Sequence, residues 1–396
     1  MTSTSCSETA EELLARAIAG ENPAELPRAL LEEPCSHALF SILAEGLADR
    51  FEPALCDVYA QLFSQAIAAV TDGADAAALV ARYRRVRRVR PVAGEPSRVF
   101  VLSRVTLGAD VAVTSVLLDA AKRRFPKAEI CFVGPAKNYQ LFEADPRIRH
   151  AEVAYQRGSL RDRLAVRHDL TAILDAPDSL TIDSDSRLTQ LGLLPTCPEE
   201  HYHLFESRAY GGATDRPLPE LAAAWAEETL GVTGAKPFVA LAAAPPDHAA
   251  EIAVSLGVGE NPAKRLPDPF EESLLGLLGE RGAAICIDKG AGGEEAARVE
   301  RAVERSRVRA TFWNGSFAGF AAIIAASRLY VGYDSAGQHV AAAAGVPLIS
   351  VFAGFPVARM FDRWRPRANG GAVIRIDRPD AAEALASVRR ALAALQ

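Results

Sequence analysis

The sequence predicts an α/β protein: two doubly wound, Rossmann-like lobes facing each other across a cleft, preceded by a small all-helical module. Three observations carry this expectation. Short, nearly continuous apolar runs such as VFVLSRV, RLYVGYD and PLISVFAG read as strands buried on both faces. Amphipathic segments alternate with them, as βαβ units in a parallel sheet require. The alternation stops near residues 232–236 and then starts again.

Residues 1–92 differ in texture. Apolar positions recur at helical spacing in EELLARAIAG, HALFSILAEGLADRF and LCDVYAQLFSQAIAAV, with Pro27, Pro34 and Pro53 as punctuation. The module ends in ARYRRVRRVRP, with six arginines between Arg82 and Arg90. That block could meet an anionic membrane surface or an acidic partner. The favoured reading is a solvated or salt-bridged helix face, because the run is short and abuts a folded domain.

Residues 93–233 form the expected first lobe. VFVLSRV is its opening strand, DVAVTSVLLDAAKRRF a helix, AEICFVG and LTAILDA further strands, and PELAAAWAEETLG a closing helix. Residues 234–396 form the second. Its strand candidates are FVALAAA, EIAVSLGVG, AAICIDKG, RLYVGYD, PLISVFAG and AVIRID; helices are expected over 268–280, 294–307, 316–327, 335–344 and 380–395. Ligands of such sheets bind at the carboxyl ends of the strands.

Composition narrows the classes. The 396 residues are 49% hydrophobic and 24% charged, which excludes wholesale disorder. A net charge of −6 argues against nucleic acid as a partner. The six cysteines have neither zinc-ligand nor C-x-x-C spacing, so neither a metal site nor a disulfide scaffold is expected. No secretory signal or apolar run of about 20 residues is visible, so a cytoplasmic location is expected.

Three spots carry chemistry. In SRVTLGADVAVTS, Gly108 should make a turn and Asp110 open a helix. Asp110 is then either a general base or a helix cap. In VSLGVGENPAKRLPDPF, a glycine-bearing loop precedes Lys264, which is either a phosphate contact or a surface lysine. In RLYVGYDSAGQHVAAAAGVP, Asp334 and Ser335 stand before a small-residue helix whose free N–H groups suit a diphosphate; an ordinary βαβ turn fits nearly as well. Glu294, or its neighbour Glu295, could hold a ribose hydroxyl, though a helix-start acid is the commoner meaning. Asp183-Ser184-Asp185 spells the D-x-D of metal–diphosphate sites but reads better as a turn. His201 and His203 lack a third partner for a metal.

In this order and spacing, the three spots resemble glycosyltransferase family nine, the ADP-heptose:lipopolysaccharide heptosyltransferases and relatives of the GT-B fold. The likeness covers roughly residues 97–395. YDSAGQHVAAAAGVP is similar to the family's NDSGPMHLAAALGTP, and GENPAKRLPDPF to its KRWP…F loop. LGAD is one residue longer than the family's LGD, and Ala336 stands where the family has glycine. The resemblance implies that Asp110 is the base for the acceptor hydroxyl. It implies donor contacts from Lys264, Asp334, Ser335, Ala336, Gly337 and His339; Glu294, read from the loop alone, is a further donor-side candidate. It also implies an inverting transfer without a metal or other cofactor, from a nucleotide sugar such as ADP-heptose to a surface glycan, glycolipid or protein. Arg104 and Arg161 are the acceptor-side candidates, and association with the inner face of the inner membrane would suit such an acceptor. The other readings are a non-catalytic nucleotide-sugar-binding or scaffold protein, and a nucleotide-sugar epimerase of the same fold.

Overall fold

The computed structural model describes residues 3–259, 261–290 and 292–395; Glu260 and Ala291, within two of the glycine-bearing loops, lie outside them. The chain divides into two compact units. One comprises Met1–Thr106, Val116–Asn138 and Arg147–Ala235; the other comprises Leu107–Ser115, Tyr139–Pro146 and Lys236–Gln396.

The first unit holds five parallel strands, β1 (Arg98–Leu102), β2 (Glu129–Gly134), β3 (Ile148–Glu152), β4 (Ser179–Asp183) and β5 (Tyr202–Leu204), in the order β3-β2-β1-β4-β5. Val101 pairs with Phe132 on one side and Ile182 on the other, which is why β1 is apolar without alternation. The order reverses between β1 and β4, the place where ligands bind in such sheets.

The helical region contributes α1 (Ser3–Ile18), α2 (Pro53–Val70) and α3 (Ala76–Val86). Their apolar faces enter one core with Leu160, Leu193, Leu194, Tyr202 and Leu204, and Tyr59 stacks on Phe63 inside it. The arginine block is largely consumed within this unit. Arg82 donates to Gly192 O at 2.9 Å and lies over the Tyr202 ring. Arg85 grips Glu199 with two nitrogens, Arg87 bridges Glu206 and Asp57, and Arg90 donates to Tyr202 O at 3.1 Å. The structure therefore favours the salt-bridged reading of this segment. One expectation is corrected here: Cys6 and Cys35 are joined by a disulfide that ties α1 to the following turn. Proximity through the fold, not sequence spacing, brings them together.

The longer helices that follow are α4 (Ser115–Arg124), α5 (Leu160–Leu174) and α6 (Leu218–Leu230). LTAILDA, expected as a strand, is the last turns of α5; Val166, Leu170 and Leu174 are its buried stripe at helical spacing. Before α4, a short helix Leu107–Ala109 runs into a π-turn Asp110–Thr114. Gly108 is thus inside a helical turn. Asp110 follows the helical Ala109 and is not the N-cap residue, so the capping reading is overturned.

The second unit holds β6 (Ile252–Ser255), β7 (Ile285–Asp288), β8 (Ala310–Trp313), β9 (Leu329–Tyr333), β10 (Leu348–Phe352) and β11 (Ala372–Arg375). All are parallel, in the order β11-β10-β9-β6-β7-β8, with the reversal between β6 and β9. Helices α7 (Phe270–Gly279), α8 (Gly293–Ser306), α9 (Phe317–Ala326), α10 (Ala336–Ala344), α11 (Ala358–Trp364) and α12 (Ala381–Ala394) flank it. FVALAAA is not a strand. Ala240 exchanges single backbone bonds with Leu141 and Ala144, which is too little to make a ladder.

Candidate functional site

The carboxyl ends of β6 and β9 flank the reversal point of the second sheet, and both carry a predicted spot. The loop after β6 is shaped by Asn261, whose side chain accepts from Ala263 N and caps the turn Pro262–Lys264. It is anchored by Glu271, which is only 3% exposed. That carboxylate accepts from Arg265 Nε (3.1 Å), Tyr333 Oη (3.2 Å) and Arg298. Tyr333 Oη in turn receives Leu266 N. Gly354, at φ +69°, lets the loop after β10 press on this turn: a Cβ there would stand 2.4 Å from the Ala263 carbonyl.

This scaffold delivers Lys264 to Asp334. Its Nζ lies 2.6 Å from Asp334 Oδ2 and donates to Asp334 O at 3.3 Å. Asp334 directly follows β9, and α10 begins two residues later. Ser335 occupies the N-cap position, but its hydroxyl meets Tyr330 Oη at 3.2 Å and no side chain caps the helix. Gly337 is required by that tyrosine, since a Cβ would sit 2.4 Å from Tyr330 Oη. His339, almost fully buried, stacks edge-on to Trp364. Burial pushes its pKa down to about 4, with Asp334 opposing and Lys264 assisting, so the ring is neutral at pH 7.

The segment bearing Asp110 belongs to the same unit. A Cβ on Gly108 would be 3.0 Å from the His339 ring and 3.2 Å from Ala336 Cα, so this short helix lies against the start of α10. Asp110 is buried, and its Oδ1 accepts from Thr114 Oγ1 at 2.6 Å. Lys264, Asp334, Ser335, Ala336, Gly337 and His339 thus gather at one helix end, with the Asp110 helix packed beside them.

Other predicted residues fall elsewhere. Glu294 is exposed on the first turn of α8. Its neighbour Glu295 turns inward instead, filling the space beside Gly257 and Gly290. Arg104 donates to Ser184 O and Ser207 Oγ, and Arg161 to Val70 O at 3.1 Å; both are engaged within the first unit. The D-x-D pair is structural. Asp183 accepts from Thr189, Tyr202 and Ser186 N, and Asp185 is gripped by Arg208 through two nitrogens. Burial pushes Asp185 up, but Arg208 and then Arg104 outweigh it and hold the carboxyl below its ordinary range. Among the described residues no group of three His, Cys, Asp or Glu side chains could hold a metal ion, and no helix is long and apolar enough to cross a membrane.

Sequence reasoning passed over Glu271, Tyr330, Gln338 and Ser350. It also missed Asp288 at the end of β7, whose pKa burial pushes up to about 6, against Gly290 N–H and with the Glu295 charge. A polar residue inside an Ala-rich helix, as Gln338 is, was the available signal. In chemical terms, an ammonium, an uncapped helix start and a neutral imidazole can together stabilise a diphosphate leaving group.

Residues 212–383 match the family model for glycosyltransferase family 9 (heptosyltransferase). No curated protein matches the chain. Among solved structures, E. coli heptosyltransferase WaaC with ADP is 20% identical, with a TM-score of 0.59 over 76% of this chain and 100% of that one. E. coli ADP-heptose LPS heptosyltransferase II is 19% identical, with a TM-score of 0.52 over 75% and 98%. A family 9 glycosyl transferase from Veillonella parvula is 16% identical, with a TM-score of 0.52 over 71% and 86%. At these identities the three show a shared fold. The family match makes residues 212–383 similar to the family 9 glycosyltransferases, and the two parallel sheets share the GT-B fold of those neighbours.

Proposed function

We propose that the protein transfers a sugar, heptose by its resemblance, from a nucleoside-diphosphate donor to a hydroxyl of a surface glycan, glycolipid or protein, with inversion and without a metal. The observation that carries this reading is the Lys264–Asp334 pair at the start of α10, with the Asp110 helix against the same helix end. Lys264 and the first N–H groups of α10 receive the donor diphosphate. As the glycosidic C–O bond breaks, they stabilise the charge that develops on the leaving phosphate. Asp110 takes the proton of the acceptor hydroxyl as its oxygen attacks the anomeric carbon from the opposite face. Because Asp110 is buried, the acceptor reaches it only once the side chain is uncovered. The location that suits this chemistry is the cytoplasm, where nucleotide sugars would be met.

Release of ADP from ADP-heptose in the presence of candidate acceptors tests the proposal. Asp110→Asn should abolish turnover while leaving ADP affinity within a few-fold. Unchanged turnover would remove Asp110 from the mechanism. Turnover should survive a chelator, and a strict magnesium requirement would overturn the metal-free reading.

A further inference from the structure

The helix that starts at the donor site carries a buried amide that the reading above does not use. Gln338 has no exposed surface. Its Nε2 donates to Asp334 Oδ1 and lies 3.4 Å from His339 Nε2; its Oε1 accepts from Ser350 Oγ at 2.5 Å. Ser350 is itself fully buried on β10. One side chain thus touches three groups, and each contact constrains the next.

The order of constraint follows from what each group can offer. An ionised carboxylate only accepts, so Asp334 requires the NH2 end of the amide to face it. That choice turns Oε1 toward Ser350, whose hydroxyl donates. The second N–H of the amide is then directed at His339 Nε2, which must present a lone pair. The imidazole proton is left on Nδ1. Meanwhile the other oxygen of Asp334 stays on Lys264. We infer that Gln338 is a positioning residue of the donor site: backed by Ser350, it fixes the Asp334 carboxylate on Lys264 and sets the Nδ1–H tautomer of His339. The depressed pKa of His339 agrees with a ring that must stay neutral in this arrangement. The inference rests on the donor-site reading for its functional consequence, but the tautomer does not depend on it.

The test uses the full chain labelled with 15N, with His339 signals assigned by their loss in His339→Asn. Long-range 1H–15N spectra at pH 7 should show the native His339 as the Nδ1–H form. Gln338→Met removes both N–H donors, and Ser350→Ala leaves the amide free to turn; either should give a mixed or reversed tautomer. ADP titrated into the same samples should bind about tenfold more weakly to Gln338→Met and a few-fold more weakly to Ser350→Ala. Persistence of the Nδ1–H form in both variants, with ADP binding unchanged, would overturn the inference, and Ser350→Ala covers the case in which Gln338→Met does not fold. If the native chain fails to bind ADP, the donor reading falls, and the ring signature alone decides the relay.

Discussion

Replacing Lys264 with methionine separates a binding role from a packing role. The ammonium is 2.6 Å from Asp334 Oδ2, with the lysine side chain 20% and the aspartate 7% exposed. Breaking a fully buried pair costs about 3–5 kcal/mol. Here one partner still sees solvent and Asp334 keeps the Gln338 donor, so a loss of about 1–2 kcal/mol of stability is expected. A hydrogen bond to a charged group contributes about 1.5–3 kcal/mol. When ADP arrives, Lys264 gives up part of its contact with Asp334, which places the net effect near the lower end. About 1.4 kcal/mol corresponds to a tenfold rise in Kd for ADP. Asp334→Asn removes the carboxylate partner rather than the cation. It also releases the ammonium that the carboxylate holds in place, so it should cost stability and weaken ADP binding, though less than Lys264→Met does. Urea unfolding and calorimetric titration with ADP read the two effects separately. If Lys264→Met binds ADP within twofold of the native chain, Lys264 does not hold the diphosphate and the reasoning fails.

Three further outcomes follow from the same geometry. Gly337→Ala should lower stability by about 1–2 kcal/mol in chemical unfolding, because the Cβ meets the fully buried Tyr330 ring and overpacking (about 1–3 kcal/mol) exceeds the helix-propensity gain of about 1 kcal/mol; an unchanged midpoint would mean the ring moves freely. His203 and His339 are both pushed down to about 4, chiefly by burial, so the unfolded chain binds more protons between pH 4 and 6.5. Their stabilising contribution is complete above about pH 6.5 and is lost as pH falls toward 4, while Asp288, pushed up to about 6, has the opposite slope and subtracts from it. Urea midpoints should drop as pH is lowered from about 6.5 to 4, and less steeply in His203→Gln; equal slopes would contradict the burial argument. Cys6→Ser should cost about 2–4 kcal/mol, since the bridge closes a loop across 29 residues, and native protein that is indifferent to reductant would refute the bridge.

How much of this was legible depends on where each residue sits. Central strands such as β9 and β10 are buried at every position, so their apolar runs announce them. Edge strands do not. β3 reads IRHAE, with a half-exposed, charged face, and β8 is mostly half-buried, so neither has a run to find. LTAILDA misled because its apolar residues cluster locally; only the longer spacing from Val166 reveals α5. The Asp334 turn was legible because Asp334-Ser335 follows a strong strand and precedes a small-residue helix. Glu294 and Glu295 could not be separated, because a one-residue change in where α8 starts rotates the inward face by about 100°. The roles of Ser350 and Glu271 were invisible for a different reason: each is defined by a partner on another element, Gln338 for Ser350 and Tyr333 for Glu271.

The arginine-bearing helix α3 and its partners have a practical bearing on chimeras. Arg82, Arg85, Arg87 and Arg90 reach residues between 192 and 206, and the apolar faces of α1–α3 roof over Leu193, Leu194, Tyr202 and Leu204. Pruning the chain at residue 93 would therefore uncover an oily floor and take away the salt-bridge partners of Glu199 and Glu206. A graft of residues 1–92 onto a family 9 glycosyltransferase must carry the matching 190–206 segment with it, because the two stretches are halves of a single fastening.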